Sequence, residues 1–187
     1  ANAVVNVNNT DRQEVAVLGA GCFWCVETIF NDLKGVNKAI SGYSGGKAET
    51  ADYETVSTKT TEHIEVILVD FDPGVITYEE ILQIFYSVHN PTTPNRQGND
   101  VGPQYQSAIF YTDERQKEIA ERVTEEFAPT LWDDPIVTKI LHMGAFYPGE
   151  DYHQDYFKRV GARNPYCTAV VAPKVAKFRK SFAHRLK

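Results

Sequence analysis

Cys22 and Cys25 flank Phe23 and Trp24 in the stretch GAGCFWC. A thiolate can act as a nucleophile, bind a metal ion or exchange with a disulfide, and each of these chemistries is a candidate here. A plain core role is the fourth interpretation, since free cysteine and large aromatic residues are often buried. The spacing of the four residues does not choose among these interpretations.

The surrounding pattern places the two cysteines at the junction of a strand and a helix. Residues 14–18 (EVAVL) predict a strand, which Gly19 and Gly21 interrupt. The period then becomes helical, with apolar residues at Val26, Ile29, Phe30 and Leu33 and a stop at Gly35. A thiol in the first turn of a helix faces unpaired N–H groups and the positive end of the helix dipole, and both favour the thiolate. Cys22 is therefore the better candidate for a reactive thiol.

The cysteine count argues against a metal site and against a disulfide framework. The chain has three cysteines, and an odd number does not suit a closed set of disulfides. A structural zinc site needs a second close pair of ligands, but only Cys167 and five scattered histidines remain. For Cys167, within NPYCTAVVAP, a core role is favoured. We expect no metal and no bound cofactor.

Two functional interpretations follow from the cysteine motif alone. C-x-x-C where a strand meets a helix is typical of a thioredoxin-like thiol-disulfide oxidoreductase. The second is a non-catalytic module that senses redox state or binds peptides through Phe23 and Trp24. Neither interpretation explains the acids and tyrosines in the rest of the chain.

Glu65 is the first of those unexplained residues. It lies within HIEVILVD, an apolar run typical of a buried central strand. By alternation it shares a face with Ile67 and Val69. A carboxyl group there is at a strand edge, paired, or held protonated by loss of solvent. An exposed edge carboxylate stays open as the structural interpretation.

Tyr53 and Tyr105 both follow turn-rich stretches, in DYETV and GPQYQ respectively. Tyr105 and Asp100 lie in residues 90–106, a long segment rich in Pro, Asn and Gly. A structureless loop of this length in a compact domain is usually functional or disordered. The segment is therefore a candidate for substrate contacts.

Composition and charge set the broad class of the protein. The chain has 187 residues, 42% of them hydrophobic and 24% charged, with a formal net charge of -6. These values fit one globular domain at 14–187 after a flexible tail at 1–13, and they do not indicate nucleic-acid binding. No apolar run is long enough to span a bilayer. We expect a cytoplasmic protein or, if the N-terminus reflects removal of a leader, an exported or periplasmic one.

The order of predicted elements favours a two-layer α/β or α+β domain. Further strands are predicted in VNKAISGYSGG, HIEVILVDF, SAIFYT and PIVTKIL. One helix is capped by Thr77 and Glu80 and ends at residues 89–91. Another runs from about Asp113 to Phe127 and is closed by Pro129. EDYHQDYFKR and the tail after Pro173 are predicted to be helical, the tail with an apolar stripe at Val175, Phe178, Phe182 and Leu186.

Six motifs together carry a specific resemblance. In order along residues 14–180 they are GAGCFWCVE, SGYSGG, DYETV, EHIEV, RQGNDVGPQYQSAIFY and EDYHQDYF. This set resembles the methionine sulfoxide reductase A family, the peptide-methionine (S)-S-oxide reductases. The resemblance implies an α+β fold, a two-layer sandwich elaborated from a ferredoxin-like arrangement around a mixed, largely antiparallel sheet.

The same resemblance implies roles for the residues of the first and fourth motifs. Cys22 corresponds to the nucleophile, and Phe23 and Trp24 to the pocket for the substrate methyl group. Glu65 corresponds to the acid that protonates the sulfoxide oxygen. Methionine leaves, and a sulfenic acid remains on Cys22. The implied function is repair of methionine-S-sulfoxide, free or in proteins.

Three further positions match the family's site. Tyr53 and Tyr105 correspond to the tyrosines that help hold the sulfoxide oxygen. Asp100, in GNDVG, lines the same site. His153 in EDYHQDY is a candidate to support the site or a structural histidine.

The recycling thiol cannot be carried over from the resemblance. Many family members have Gly where this chain has Cys25, and place the recycling cysteine in a Gly-rich tail. The tail of this chain is not Gly-rich. We therefore predict Cys25 as the resolving thiol, with Cys167 and an external thiol as alternatives. Thioredoxin or another thiol reductant is the expected partner, and a monomer is the expected state.

Overall fold

The computed structural model describes residues 13–21, 23–45, 56, 63–97, 100–144, 146–148, 180 and 182–186. Its strands are β1 Glu14–Ala20, β2 Val36–Ser44, β3 Ile64–Phe71, β4 Arg96–Gln97, β5 Asp100–Val101, β6 Ser107–Tyr111, β7 Lys139–His142 and β8 Tyr147–Pro148. Its helices are α1 Phe23–Asn31, α2 Tyr78–Val88, α3 Glu114–Glu126 and α4 Ala128–Leu131, with 3₁₀ turns at Pro103–Tyr105 and Ala183–Arg185.

Six of these strands form one sheet in the order β7-β6-β1-β3-β2-β8. Neighbours pair antiparallel except β6 and β7, which are parallel. β4 and β5 form a separate two-stranded hairpin. The predicted α+β class and mixed, largely antiparallel sheet are confirmed.

The two faces of the sheet have different cover. On one face the side chains pack with the helices, in a cluster that includes Ala16, Leu18, Ala39, Ile67, Val69 and Phe71 from strands and Val26, Ile29, Phe30, Ile81 and Phe85 from helices. On the other face Met143 and Phe146 pack against a second cluster that includes Val15, Val17, Ile64, Val66, Leu68, Ala108 and Phe110. Every residue of β3 is buried because both faces are covered. This is why HIEVILVDF reads as a continuous apolar run.

Helix α2 forms where the capping signal predicts it. Thr77 Oγ1 accepts from the Glu80 N–H at 3.1 Å, and Glu80 Oε1 accepts from the Thr77 N–H at 3.1 Å. The two bonds satisfy donors that a helix start leaves unpaired. The predicted inward residues are buried or packed against the core, namely Ile81, Leu82, Ile84, Phe85 and Val88.

Three expectations about the middle of the chain were wrong. Pro129 does not close α3, which ends at Glu126. It lies in the first turn of α4, where the backbone N–H that proline lacks would have no partner within the helix. The strand predicted from residue 135 begins only at Lys139, because residues 108–111 of β6 pair with 139–142. The Val137 N–H donates instead to the Pro91 carbonyl at 2.8 Å.

The third error concerns residues 90–106, which are not a structureless loop. They contain β4, β5 and the first 3₁₀ turn. We call residues 90–106 the site loop below. Short-range bonds hold it, including one of 2.9 Å from the Gly102 N–H to the Asn95 carbonyl.

Several expectations about the termini lie outside the described residues. These include the tail before residue 13, the helix predicted in EDYHQDYFKR, and Val175 and Phe178. Phe182 and Leu186 are described, and both pack against the helix-side core. Leu186 also forms an antiparallel bridge with Leu33. Among the residues described, no helix combines the length and apolar character needed to cross a membrane.

Candidate active site

β1 and α1 meet at the junction, which we define as residues 20–23. The predicted junction of a strand and a helix is present, although β1 runs to Ala20, two residues beyond the predicted strand, and α1 begins at Phe23. Gly21 between them has φ +93°, a conformation that side chains disfavour. A Cβ at Gly21 would also lie 2.5 Å from Gln97 Cγ. The chain can turn here only because residue 21 is glycine.

Glu65 lies beside this junction on the helix-facing side of the sheet. Leu18 pairs with Ile67, so the end of β1 runs along the start of β3. A Cβ built on Gly19 would lie 3.4 Å from the Glu65 carbonyl oxygen, which shows how closely the strands approach. Glu65 is 2% exposed on a central strand. An exposed edge carboxylate is therefore excluded.

The 3₁₀ turn at Pro103–Tyr105 packs against β3 and β4. Tyr105, its last residue, is half-buried. Two residues later, Ser107 begins β6 and pairs with Ala20, the last residue of β1. The fold thus brings the Tyr105 backbone to the same end of the sheet as Glu65.

Asp100 lies in the hairpin that is packed against the junction. It pairs with Gln97, whose side chain packs on Gly21. Gln97 Oε1 accepts from the Asn90 N–H and Gln97 Nε2 donates to the Asn90 carbonyl, both at 2.8 Å. The start of the site loop, its hairpin and the residue before Cys22 are therefore locked together.

Three aromatic residues near Glu65 were missed by the sequence analysis. Tyr43 is the cross-strand partner of Glu65 on β2, and Tyr147 on β8 pairs with Tyr43. The His63 ring lies edge-on to both, with centroids 6.0 Å from Tyr43 and 5.7 Å from Tyr147. The sequence held a signal for two of them. Tyr43 lies in the motif SGYSGG, and His63 is two residues before Glu65, so strand alternation places both side chains on the same face.

Polar ties hold α1 on β2. The buried Ser41 hydroxyl donates to the buried Glu27 carboxylate. Asn31 Oδ1 accepts from the Ala39 N–H at 2.9 Å, and its Nδ2 donates to the Ala39 carbonyl at 3.4 Å. These contacts fix the second half of the helix that follows the junction.

Some predicted site residues are placed only in part. The backbones of Phe23, Trp24 and Cys25 form the first turn of α1. Cys22, Tyr53, His153 and Cys167 lie outside the described residues. The described ranges hold no group of three or more side chains that could bind a metal ion.

Two buried tyrosines away from the junction have shifted acidity. Burial raises the pKa of Tyr78 far above its ordinary value of 10.0, and Glu14 and Asp113 add to the rise. Burial also raises the pKa of Tyr86, against hydrogen bonds with Thr124 and Thr138 that lower it. Both phenols are therefore neutral near pH 7 and belong to the core.

The chain is similar over most of its length to proteins of one family. The family model "Peptide methionine sulfoxide reductase" matches residues 14–186. The peptide methionine sulfoxide reductase MsrA of Chromobacterium violaceum is 49% identical over 174 residues, covering 92% of this chain and 98% of that protein.

Solved structures show the same fold. Mxr1 from Saccharomyces cerevisiae in reduced form superposes with a TM-score of 0.78 at 28% identity, over 88% of this chain and 93% of that one. Methionine sulfoxide reductase A of Corynebacterium diphtheriae gives 0.72 at 32% identity, over 84% and 80%. Mxr1 in complex with Trx2 gives 0.56 at 22% identity, over 81% and 89%. The chain belongs to the peptide methionine sulfoxide reductase family and is an oxidoreductase of that class.

Proposed function

We propose that this enzyme reduces methionine-S-sulfoxide, free or within polypeptides, with Cys22 as the nucleophile. The observation that carries the proposal is the burial of Glu65 beside the junction, the segment of the chain that contains Cys22. Attack of a thiolate on the sulfoxide sulfur requires an acid to protonate the oxygen. Loss of solvent favours the neutral form of a carboxyl group. Glu65 is therefore the proton donor of the proposed reaction.

The remaining residues of the proposed site bind the two ends of the sulfoxide group. The hydroxyls of Tyr53 and Tyr105 donate to the oxygen as negative charge grows on it. Phe23 and Trp24 form the apolar pocket for the methyl group, and Asp100 lines the same site. Support comes from the backbone, since the turn that ends at Tyr105 packs on β3 and the Asp100 hairpin is seated on the junction.

The proposed chemistry is a transfer of oxygen from substrate to enzyme. The Cys22 sulfur bonds to the substrate sulfur while Glu65 protonates the oxygen. The oxygen then transfers to the Cys22 sulfur as the substrate S–O bond and the S–S bond of the adduct break, so methionine leaves and Cys22 carries a sulfenic acid. The Cys22 sulfur is oxidised by two electrons and the substrate sulfur is reduced by two.

A second thiol must then clear the sulfenic acid. We assign this step to Cys25, whose thiol attacks the Cys22 sulfur, releases water and leaves a disulfide. Cys25 lies in the first turn of α1, so closing so short a ring requires that turn to unwind. The ties at Glu27 and Asn31 support this assignment, because they anchor the later turns while the first one changes. Cys167 and an external thiol are the alternatives.

Thioredoxin or a similar dithiol is the proposed reductant of that disulfide. Mxr1, a protein of the same fold, has been solved in complex with Trx2, which supports this class of partner. We further propose that residues 14–187 act as one catalytic domain after a tail at 1–13. We propose that the enzyme acts as a monomer. Its chemistry uses no cofactor and no nucleic-acid or membrane partner.

Mass mapping of the enzyme after one equivalent of sulfoxide tests the proposal. We expect one methionine per chain and a Cys22–Cys25 disulfide. Cys22→Ser should form no methionine, whereas Cys25→Ser should form one equivalent and then stop under thioredoxin-driven cycling. Methionine formation by Cys22→Ser would contradict the proposed nucleophile. Undiminished cycling by Cys25→Ser would move the resolving step to Cys167 or an external thiol.

A further inference from the structure

A buried run of hydrogen bonds passes through His89, the residue that follows α2. His89 Nδ1 lies 2.5 Å from the Phe85 carbonyl oxygen, and its Nε2 lies 2.7 Å from Ser107 Oγ. Ser107 Oγ in turn lies 2.7 Å from Thr138 Oγ1. His89 and Ser107 are each 4% exposed. A polar run this deep in the core requires a matched partner for each atom.

The partners determine the direction of each bond when His89 is neutral. A carbonyl oxygen only accepts, so Nδ1 carries the proton and donates to Phe85. Nε2 then accepts from the Ser107 hydroxyl, and Ser107 Oγ accepts from Thr138. His89 is therefore an oriented link between the end of α2 and the start of β6.

The link ends beside the candidate site at two places. Ser107 lies opposite Ala20, the last residue of β1, and two residues after Tyr105. Asn90, the residue after His89, exchanges two hydrogen bonds with the Gln97 side chain, which packs on Gly21. The pair 89–90 thus fixes both the entry of the site loop and its exit relative to the junction.

We propose that His89 is a positioning residue for sulfoxide reduction. Through Ser107 it holds the exit of the site loop against the end of β1, so that the turn ending at Tyr105 keeps its place beside the junction. This inference rests on the function proposed above. His89 acts through Ser107 and not on the substrate.

Two amide substitutions separate the two sides of the imidazole. His89→Asn keeps a donor close to the Nδ1 position and its bond to Phe85, but removes the acceptor for Ser107. His89→Gln places an amide oxygen near the Nε2 position, where it can accept from Ser107. We expect His89→Asn to lower kcat by about tenfold or more with little change in KM, since small misplacements of catalytic groups are costly. His89→Gln should restore most of that loss.

Ser107→Ala gives the matched control from the other end of the bond. It should lower kcat as His89→Asn does, and the double variant should be no slower than either single one. Native kcat in both His89→Asn and Ser107→Ala would overturn the proposal, as would equal losses in the Asn and Gln variants. If His89→Asn does not fold, Ser107→Ala alone decides, because native kcat there is incompatible with positioning through Ser107.

Tyr105→Phe, measured beside this series, separates the inference from the proposed function. Native kinetics in Tyr105→Phe would remove the proposed role of that hydroxyl. The positioning role of His89 would still be tested by the difference between its Asn and Gln variants. Hydrogen exchange of the site loop gives a second readout, and faster exchange in His89→Asn than in His89→Gln is expected.

Discussion

Two glutamates are buried on the helix-facing side of the sheet, at opposite ends of the β1–β3 pair. Glu14 is 3% exposed and lies opposite Phe71, where β3 ends. It accepts from Gln116 Nε2 at 2.8 Å and from Arg115 Nη2 at 2.6 Å. Glu65 is equally buried where β3 begins, beside the junction. Burial alone therefore does not identify a catalytic acid, and the neighbouring elements decide.

The largest expected difference between the two ends of the β1–β3 pair is in kcat. Glu65→Gln keeps the size of the side chain and removes the proton, so kcat should fall by about 10²- to 10⁴-fold. KM should change much less. Glu14→Gln, at the other end, should leave kcat and KM near their native values. Steady-state assays with methionine-S-sulfoxide check this, and an equal loss in both variants would erase the distinction.

The glycine turn at the site end is expected to be the next most sensitive feature. Gly21→Ala would place a Cβ 2.5 Å from Gln97 Cγ at φ +93°. The β4–β5 hairpin would have to shift to remove this clash. We therefore expect kcat/KM to fall about tenfold and the free energy of unfolding to fall by about 1–3 kcal/mol. Gly144→Ala is the control, since a Cβ there meets nothing within 4 Å. Similar losses in both would show that the contact with Gln97 is unimportant.

At the other end, removal of the Glu14 side chain should affect stability alone. Gln116 is fully buried, and Glu14→Ala takes away one of its acceptors. The expected loss of unfolding free energy is about 1–3 kcal/mol. Little of it comes from Arg115, whose side chain is 56% exposed and well screened by solvent. Urea unfolding measures the loss, and a large fall in kcat at unchanged stability would assign Glu14 to the chemistry.

The smallest expected effect concerns Tyr78, which neighbours Glu14. Its hydroxyl is buried and has no hydrogen-bond partner among the described residues. Burial raises its pKa in the folded state, so above pH 10.0 the unfolded chain releases a proton that the folded chain retains. Stability is therefore lost as pH rises beyond that value. Tyr78→Phe lacks this group, so its free energy of unfolding should fall less steeply with rising pH in this range. An equal fall in the native protein and the variant would contradict the raised pKa of Tyr78.

Local patterns in the sequence predicted much of the fold. β3 reads as a buried strand because its residues are apolar on both faces, and α2 is predicted by its capping box. Glu65 stood out because a carboxyl group interrupts an apolar run. These signals lie within a few residues of one another, which is why the sequence alone contains them.

Long-range contacts account for what the sequence did not predict. Gly21 contacts Gln97, and His89 contacts Ser107, because the fold brings together segments that are distant in the sequence. His89 was interpreted only as part of a helix end for that reason. The order within the site loop was missed because it depends on side-chain bonds such as those between Asn90 and Gln97.

The central claim is that Glu65 delivers the proton to the sulfoxide oxygen. Methionine formed in a single turnover without reductant, followed against pH in the native enzyme and in Glu65→Gln, tests it most directly. The native rate should depend on pH through two groups, the attacking thiol and the acid that protonates the sulfoxide oxygen. In Glu65→Gln the rate should be much lower, and its dependence on the protonation of that acid should be absent. Identical pH profiles in the two enzymes would contradict the account.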